Sequence, residues 1–236
     1  MDSRRTPTAP EPASGPVPGR GPGLANNAAA LAGGILAGAT RQLARARSAP
    51  KPLHPIGAVV TGTLTRTGST GSGVPWLDLP GTDAVAIRLS RAVGLPDAVP
   101  DIHGLALRVP TRDANADLLL ANTGLGLITR FVLMPCRDIR SRPLTSLLPY
   151  LGPFGPLLLG ARPTSEDPMR FELLWSHWLS PWVRFADLWI DSATGPDQDI
   201  SFDPIANPVP GLEHYEWVRR LRSPAYRSAR EESGRA

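Results

Sequence analysis

The chain has 236 residues, which is enough for one well-packed hydrophobic core in a single domain. Hydrophobic residues make up 42% of the chain, and its 27 prolines and 23 glycines explain why that fraction is slightly low. The formal net charge is only +4, and the sequence contains no zinc-finger, RNA-recognition or KH pattern, so we expect no nucleic-acid partner.

The cysteine content and the hydropathy suggest where the protein resides. Cys136 is the only cysteine, so an internal disulfide is excluded and a reducing compartment is favoured. The sequence contains no run of about 18 apolar residues, so we expect no membrane span. The early arginines are not followed by the apolar stretch of a signal peptide. We therefore expect a cytoplasmic protein, with a homodimer left open.

The N-terminal part divides into two segments by composition. Residues 1–23 are mostly Pro, Gly, Ser, Thr and Arg, which cannot bury enough apolar surface to fold, so we predict a disordered head. Residues 24–50 are rich in alanine with one modest apolar stripe, and they predict an N-terminal arm helix. The folded domain is predicted to span residues 51–232.

Alternation of apolar and polar residues predicts strands after this point, first over residues 58–65. Three further strands follow in the stretches VAIRLSRAVGLP, PDIHGLALRVP and DLLLANT. Arg88 lies inside the first of these stretches, where an arginine is unusual unless an anionic group faces it. The alternatives are that Arg88 is a surface arginine on an edge strand and that Asn122 is a turn residue.

The middle of the chain gives weaker signals. Residues 67–82 form a Gly/Ser-rich loop that lacks the Gly-Lys-Ser/Thr of a phosphate loop. Residues 127–134 predict another strand, and residues 143–163, which are apolar but broken by Pro and Gly, predict short helical turns over the mouth of a barrel. Residues 169–176 and 182–190 are rich in aromatics and predict a β-hairpin.

The C-terminal region predicts a helix that starts near Pro210 and Glu213. Arg222 and Tyr226 stand four residues apart, so a helix would present both on one face. The alternative is an ordinary surface pair in an arginine-rich tail.

The order and spacing of several motifs resemble the haem catalases, in particular small proteins reduced to the catalase core, such as mini-catalases and catalase-related peroxidases. The resemblance spans about residues 51–230. It rests on His54, Gly57, Ala58 and Gly62, on Arg88-Leu89-Ser90, on the strand start Asp101–Ala106, on Asp117-Leu118 with Asn122-Thr123, and on Arg222 with Tyr226.

This resemblance implies an α+β fold, in which an antiparallel β-barrel with flanking helices holds one haem b. Tyr226 would be the ligand to the haem iron, and Arg222 beside it would favour the phenolate. Tyr215 is the second candidate for that ligand. Arg88 and Lys51 would pair with the haem propionates, and Phe131 would line the pocket.

On the opposite side of the haem the resemblance implies a catalytic group of three residues. His54 would carry a proton between the two peroxide oxygens, since its ordinary pKa lies near ~6.5. Ser90 would hold the imidazole tautomer, and Asn122 would orient the peroxide. Gly124–Gly126 stand where the family has aromatics, which implies a wider pocket.

The expected function is that of a haem-dependent peroxidase or catalase-like oxidoreductase. Its substrates would be organic hydroperoxides or hydrogen peroxide, with a small electron donor. The alternatives are a non-catalytic haem- or small-ligand-binding module on the same barrel and a haem-free structural protein. No nucleophile elbow, zinc-protease motif or dinucleotide fingerprint competes in the sequence.

Overall fold

The computed structural model describes residues 59–92, 98–112, 114–191 and 200–220. The predicted head and arm helix lie outside the described residues, and so do Lys51, His54, Arg222 and Tyr226. The predicted domain boundaries therefore stay predictions. Within the described ranges, no helix combines the length and the hydropathy needed to cross a bilayer.

The described chain is built almost entirely from antiparallel strands. They are β1 (Val59–Arg66), β2 (Gly81–Arg91), β3 (His103–Pro110), β4 (Asn115–Asn122), β5 (Leu144–Thr145), β6 (Tyr150–Gly152), β7 (Gly155–Pro163), β8 (Arg170–His177), β9 (Val183–Ile190) and β10 (Glu213–His214). Within the described ranges, helical structure is limited to α1 (Pro75–Asp78), the 3-10 turns Thr129–Phe131 and Ile139–Ser141, and residues 216–220.

Eight of the strands close into a barrel. Their order around the ring is β7-β5-β4-β3-β2-β1-β9-β8, and β8 pairs again with β7, while β6 and β10 extend the sheet beside β7. The predicted antiparallel barrel is confirmed. The described part contains few helices, so the flanking helices of the predicted α+β class are only weakly represented.

The inside of the barrel is filled by aliphatic and aromatic side chains. Side chains alternate between the two faces of a strand, and the inward ones on β2 and β3, such as Ile87, Leu105 and Leu107, are completely buried. An eight-stranded barrel is only just wide enough to be filled in this way. We therefore expect any large ligand of this protein to bind on the outer surface of the barrel or at one of its two ends.

The hairpin predicted from the aromatic stretches is confirmed, whereas other local predictions are wrong. β8 and β9 pair antiparallel with a bulge between Leu173 and Leu174. Residues 143–163 form strands β5, β6 and β7 instead of helical turns, because strand pairing accommodates their glycines and prolines. Gly160, for example, would bring an added Cβ to 3.1 Å from the backbone oxygen of Leu144 on β5.

Two further predicted elements differ from the structure. The strand predicted over residues 127–134 is a 3-10 turn at Thr129–Phe131, because Gly126 and Thr129 close a tight hydrogen-bonded loop. The C-terminal helix begins only at residue 216, because Glu213 and His214 pair with β6 as strand β10.

A polar cluster around the buried Asp117, the C-terminal clasp, attaches the chain after β9 to the outside of β3 and β4. It consists of Arg108, Asp117, Ser201, Asp203 and Asn207. The fully buried Asp117 carboxylate accepts two hydrogen bonds of 2.7 Å from Arg108, and one of 2.8 Å each from the Asp203 backbone N–H and the Asn207 side-chain amide. The Arg108 guanidinium also donates to the Ser201 carbonyl at 2.6 Å.

The clasp determines where the C-terminal segment continues. Beyond it, the His214 imidazole donates to the Pro204 carbonyl at 2.8 Å and its ring lies 4.8 Å from the ring of Tyr150. These contacts hold the segment that leads to residue 216, where the helix begins. The helix is therefore anchored through polar contacts made by strands β3 and β4.

Asp117→Asn tests the clasp. Removing one charge of a buried pair leaves the other without compensation, and we expect a loss of roughly 2–4 kcal/mol in the free energy of unfolding, because Arg108 is partly exposed and can rehydrate. Urea unfolding followed by tryptophan fluorescence measures it. The control is Glu216→Gln, which breaks the exposed pair with Arg220 and should cost less than about 1 kcal/mol. Equal losses in both variants would contradict the importance of the clasp.

Candidate functional site

The candidate site lies on the outer surface of β2, β3 and β4. Because Ile87 points into the core, its neighbours on β2 point outward, and strand pairing continues their rows across the sheet. Arg88 lies opposite Ala106, Ser90 lies opposite Gly104, and Gly104 lies opposite Ala121. We call this surface the Arg88 face; it comprises Ala86, Arg88, Ser90, Gly104, Ala106, Leu119 and Ala121.

Arg88 carries an unsatisfied polar atom. Its Nε is buried and has no hydrogen-bond partner within the described part of the chain. A buried donor that makes no bond costs about 1–3 kcal/mol, so native proteins rarely leave one without a ligand or water. The anionic group that the sequence led us to expect is not supplied by any described side chain. A guanidinium in this state is suited to bind a carboxylate.

Most side chains of the face beside Arg88 are small, and Leu119, which lies opposite Ala106, is the larger exception. A Cβ added at Gly104 would lie 2.9 Å from the Ser90 hydroxyl oxygen, so only glycine leaves this hydroxyl in place. Ala86, Ala106 and Ala121 contribute only methyl groups. The surface could therefore accept a planar molecule against its backbone.

The C-terminal helix starts beside the same face. Val218, in its first turn, is buried in a cluster with Leu133, Leu147 and Leu148, and Ala121 of the Arg88 face packs against this cluster together with Ile102 and Tyr215. We call this group the Val218 cluster. Arg222 and Tyr226 follow in sequence and lie outside the described residues.

Tyr215, the second candidate for the iron ligand, has an environment that disfavours that role. Burial raises the pKa of the Tyr215 phenol, and its ring stacks against Trp217 with a centroid distance of 6.2 Å. A phenol must lose its proton to bind ferric iron, and a raised pKa opposes that loss. Tyr226 therefore remains the first candidate.

Asn122 lies on the opposite side of the sheet from Arg88 and Ser90. It is completely buried, and its Oδ1 accepts from the His103 backbone N–H at 3.1 Å and from the Cys136 thiol at 3.2 Å. Its Nδ2 donates to the carbonyls of Ile139 and Arg142.

This placement corrects the predicted geometry of the site. Side chains alternate along β4, so the residue of that strand on the Arg88 face is Ala121, and Asn122 points toward the end of the barrel interior. All the hydrogen-bonding capacity of the amide is already used there. The structure therefore does not bring Asn122 together with Arg88 and Ser90.

Phe131 is buried, and its ring lies 5.2 Å from that of Trp178 in the turn between β8 and β9.

Burial raises the pKa of the Cys136 thiol, which suits its donation of a hydrogen bond to Asn122. His103 is buried beside this group, and its Nε2 lies 3.1 Å from the Cys136 carbonyl oxygen, a contact that stabilises the fold.

Arg130 is a buried residue that the sequence reasoning missed. Its guanidinium donates to the Ser176 hydroxyl and to backbone carbonyls that include those of Gly126 and Trp178, and it lies 4.8 Å from the ring of Trp182. Burial lowers the pKa of Arg130. Arg130 interrupts the apolar stretch LITRFVLM, just as Arg88 interrupts its own apolar stretch, so the sequence did contain a signal for a buried arginine. The difference is that neutral acceptors satisfy Arg130.

The glycines predicted to widen the pocket belong to this Arg130 region. A Cβ added at Gly124 would lie 2.3 Å from the Thr129 hydroxyl oxygen, so the tight turn requires glycine there. The Leu125 carbonyl accepts from the Trp182 indole at 2.8 Å and from Arg130. The glycines are thus explained by the packing of the turn.

Comparisons with solved structures add a similarity of fold, whereas comparisons of sequence find nothing. No family model matches the sequence, and no curated protein matches it. Among solved structures, a bacterial catalase is similar with a TM-score of 0.47 and 14% sequence identity. The alignment covers 79% of this chain and 60% of the catalase chain, so this chain spans less than two thirds of that structure. Neither family membership nor haem binding is inferred from this distant likeness.

Asn122→Ala tests the structural role of the buried amide. Loss of the amide leaves a buried N–H and two partly buried carbonyls without this partner, so we expect the free energy of unfolding to fall by about 2–4 kcal/mol. Urea unfolding measures the change. Asn115→Ala, at the exposed start of the same strand, is the control and should stay within about 0.5 kcal/mol of the wild type. An Asn122→Ala variant with an unchanged free energy of unfolding would contradict the structural role of the amide.

Proposed function

We propose that the chain binds haem against the Arg88 face and acts as a haem-dependent oxidoreductase of the peroxidase or catalase type. The observation that carries the proposal is the buried Nε of Arg88, which has no hydrogen-bond partner among the described residues and lies beside a surface of mostly small side chains. Two further points support it. The C-terminal helix begins at the same surface, and the sequence motifs occur in the order found in haem catalases.

The residues present fit a haem. A propionate would give the Arg88 guanidinium the carboxylate that no described side chain supplies, and bidentate pairing favours arginine over lysine at this position. Gly104 and the alanines present no side chain longer than a methyl group to a flat macrocycle. Lys51 would serve the second propionate, Tyr226 would ligate the iron, and Arg222 would favour the phenolate.

The chemistry divides between the cofactor and the chain. The bound haem would supply the redox steps that reduce a hydroperoxide, ROOH, with two electrons and two protons to the alcohol ROH and water. The electrons come from a small donor such as a phenol. The side chains of this protein position the reactants and move the proton.

His54 is the proposed proton carrier. It takes the proton from one peroxide oxygen and delivers it to the other, and the Ser90 hydroxyl holds its imidazole in the required tautomer. Val59, the first residue of β1, lies opposite Arg88. His54 precedes Val59 by five residues, which span at most about 18 Å, so the chain length permits the proposed place of His54 at the Arg88 face.

A second candidate function is a haem- or small-ligand-binding module without turnover. The observation that favours it is the placement of Asn122, whose amide is fully hydrogen-bonded on the other side of the sheet. A site without that amide has one fewer group to orient a peroxide. The cytoplasmic location and a homodimer remain predictions under both functions.

Haem binding is tested with the full chain and added haemin. We expect a Soret band for the wild type. Arg88→Gln should weaken haem affinity about 10-fold to 100-fold, since the charged hydrogen bond is lost. Tyr226→Phe should abolish or shift the band, because the iron loses its oxygen ligand. Arg162→Gln, which removes an exposed arginine from β7, is the control and should behave as the wild type.

The outcome of this titration decides between haem and the alternatives. A wild-type chain without a Soret band would refute haem binding. If the wild type shows the band and Arg88→Gln binds haem with the same affinity, only the assignment of Arg88 to a propionate is refuted.

Turnover separates the two candidate functions. The haem-loaded wild type should reduce cumene hydroperoxide in the presence of a phenolic donor. His54→Ala should lower kcat by about 100-fold to 10,000-fold, as expected for loss of a proton carrier, while the Soret band is kept. A haem-loaded wild type with no turnover would instead support the binding module.

A further inference from the structure

We propose that two loops joined by Arg130 form a docking surface for a lipid bilayer, to which the protein attaches reversibly by shallow insertion of apolar side chains. The loops are residues 125–128, which follow β4, and residues 178–182, which connect β8 to β9. This surface is distinct from the Arg88 face, and its use does not depend on haem.

The two loops carry three exposed aliphatic side chains. Leu127 is 58% exposed, Ile128 is 63% exposed and Leu179 is 41% exposed. The remaining residues of both loops are uncharged. Single exposed apolar side chains are common on protein surfaces, whereas several on adjoining loops indicate an interaction site. We call Leu127, Ile128 and Leu179 the apolar tips.

One buried side chain holds the two loops together. The Arg130 guanidinium donates to the carbonyls of Leu125 and Gly126 in the first loop, at 3.2 and 3.1 Å. It also donates to the carbonyls of Trp178 and Ser180 in the second loop, at 2.8 and 3.3 Å. The loops therefore lie side by side, and their apolar tips belong to one surface.

This arrangement fixes the loops while their apolar tips stay exposed. A buried guanidinium is costly when no carboxylate compensates its charge, and no described carboxylate is bonded to Arg130. The hydrogen bonds that Arg130 makes instead restrain both backbones, so the loops cannot rearrange to cover Leu127 and Ile128. A surface that is ordered before binding loses little conformational entropy when a partner arrives.

The hydrogen bonds of the loop backbones favour a lipid partner over a protein partner. Backbone groups that enter the apolar part of a bilayer must be satisfied within the protein, because water is absent there. Arg130 satisfies four carbonyls of the loops. The N–H groups of Gly126, Trp178 and Ser180 donate to other oxygen atoms of the protein. A protein partner would instead use free backbone groups for some of its hydrogen bonds.

Two half-buried tryptophans accompany the apolar tips. The ring of Trp178 lies 5.2 Å from that of Phe131, and the Trp182 indole N–H donates to the Leu125 carbonyl at 2.8 Å. Tryptophan is enriched at the boundary between lipid and water, because its ring is apolar and its N–H is polar. The loops thus combine aliphatic side chains for insertion with indoles suited to the headgroup level.

Attachment through the apolar tips should depend on apolar burial and not on the net charge of the chain. Moving a partly exposed leucine or isoleucine from water into lipid strengthens binding by about fivefold to tenfold. Three such side chains give weak, reversible attachment, with a binding constant below the ~10⁴ M⁻¹ of a single myristoyl chain.

Flotation of the full chain with vesicles of neutral phosphatidylcholine tests the proposal. We expect wild-type binding on the order of 10³ M⁻¹ in lipid. Binding should not weaken at about 1 M salt, because salt screens charges and leaves apolar burial intact. The double substitution Leu127→Ser and Ile128→Ser should weaken binding at least about tenfold, and Leu179→Ser alone about threefold to fivefold.

The matched control is Leu79→Ser. Leu79 directly follows α1, lies outside both loops and is 58% exposed, as Leu127 is. This variant should bind vesicles as the wild type does. All these substitutions replace exposed side chains, so urea unfolding should show stabilities close to that of the wild type.

Three outcomes would overturn the proposal. The first is a wild type that binds only vesicles containing anionic lipid and only at low salt, which would show attraction by net charge. The second is an equal loss of binding in Leu79→Ser and in the double variant. The third is a wild type that forms dimers in sedimentation velocity and ignores neutral vesicles while the double variant is monomeric, which would assign the apolar tips to contact between protein copies.

Discussion

Closure of the barrel by the pairing of β7 with β8 is the constraint on which the other features depend. Once eight strands close, their inward side chains fill the space between them, as Leu105, Leu107 and Leu157 do here. The interior then serves stability, and the outward side chains are free to serve a ligand. The alternation of side chains along each strand therefore separates core residues from candidate site residues.

The outward side chains differ in composition between two sides of the barrel, and this difference indicates which side holds the candidate site. On β7, β8 and β9 the outward positions carry ion pairs such as Arg162 with Glu172 and Arg170 with Asp187, which suit a solvated surface. On β2, β3 and β4 the outward positions near Ser90 are glycine and alanine, and the nearby Nε of Arg88 has no partner within the part of the chain that the structure describes. The C-terminal clasp and the Val218 cluster attach the segment of residues 200–220 to this second side.

The sequence predicted the elements whose periodicity was strong. The aromatic alternation of residues 169–190 gave the β8–β9 hairpin, and the alternation around Arg88 gave β2. It misplaced residues 143–163, because prolines and glycines suggest breaks while strand pairing can tolerate them at strand ends. It also missed the C-terminal clasp, whose partners Arg108 and Asn207 are far apart in the chain.

The errors in the candidate site have a related cause. A shift of one residue along a strand moves a side chain to the other face, so the motif containing Asn122 could be recognised while its side of the sheet was not. Arg88 and Arg130 look alike in sequence, since each interrupts an apolar stretch. Only the structure shows that carbonyl groups satisfy Arg130 and that the Nε of Arg88 has no partner among the described residues.

The most direct test of the central claim is the position of the iron in a crystal structure of the haem-loaded full chain. Anomalous scattering at the iron absorption edge would locate the metal without reference to the surrounding model. The account predicts one iron site above the outer surface of β2–β4, with a propionate bound to Arg88 and Tyr226 on the metal. An iron site elsewhere, or a haem that leaves Arg88 without a carboxylate, would contradict it.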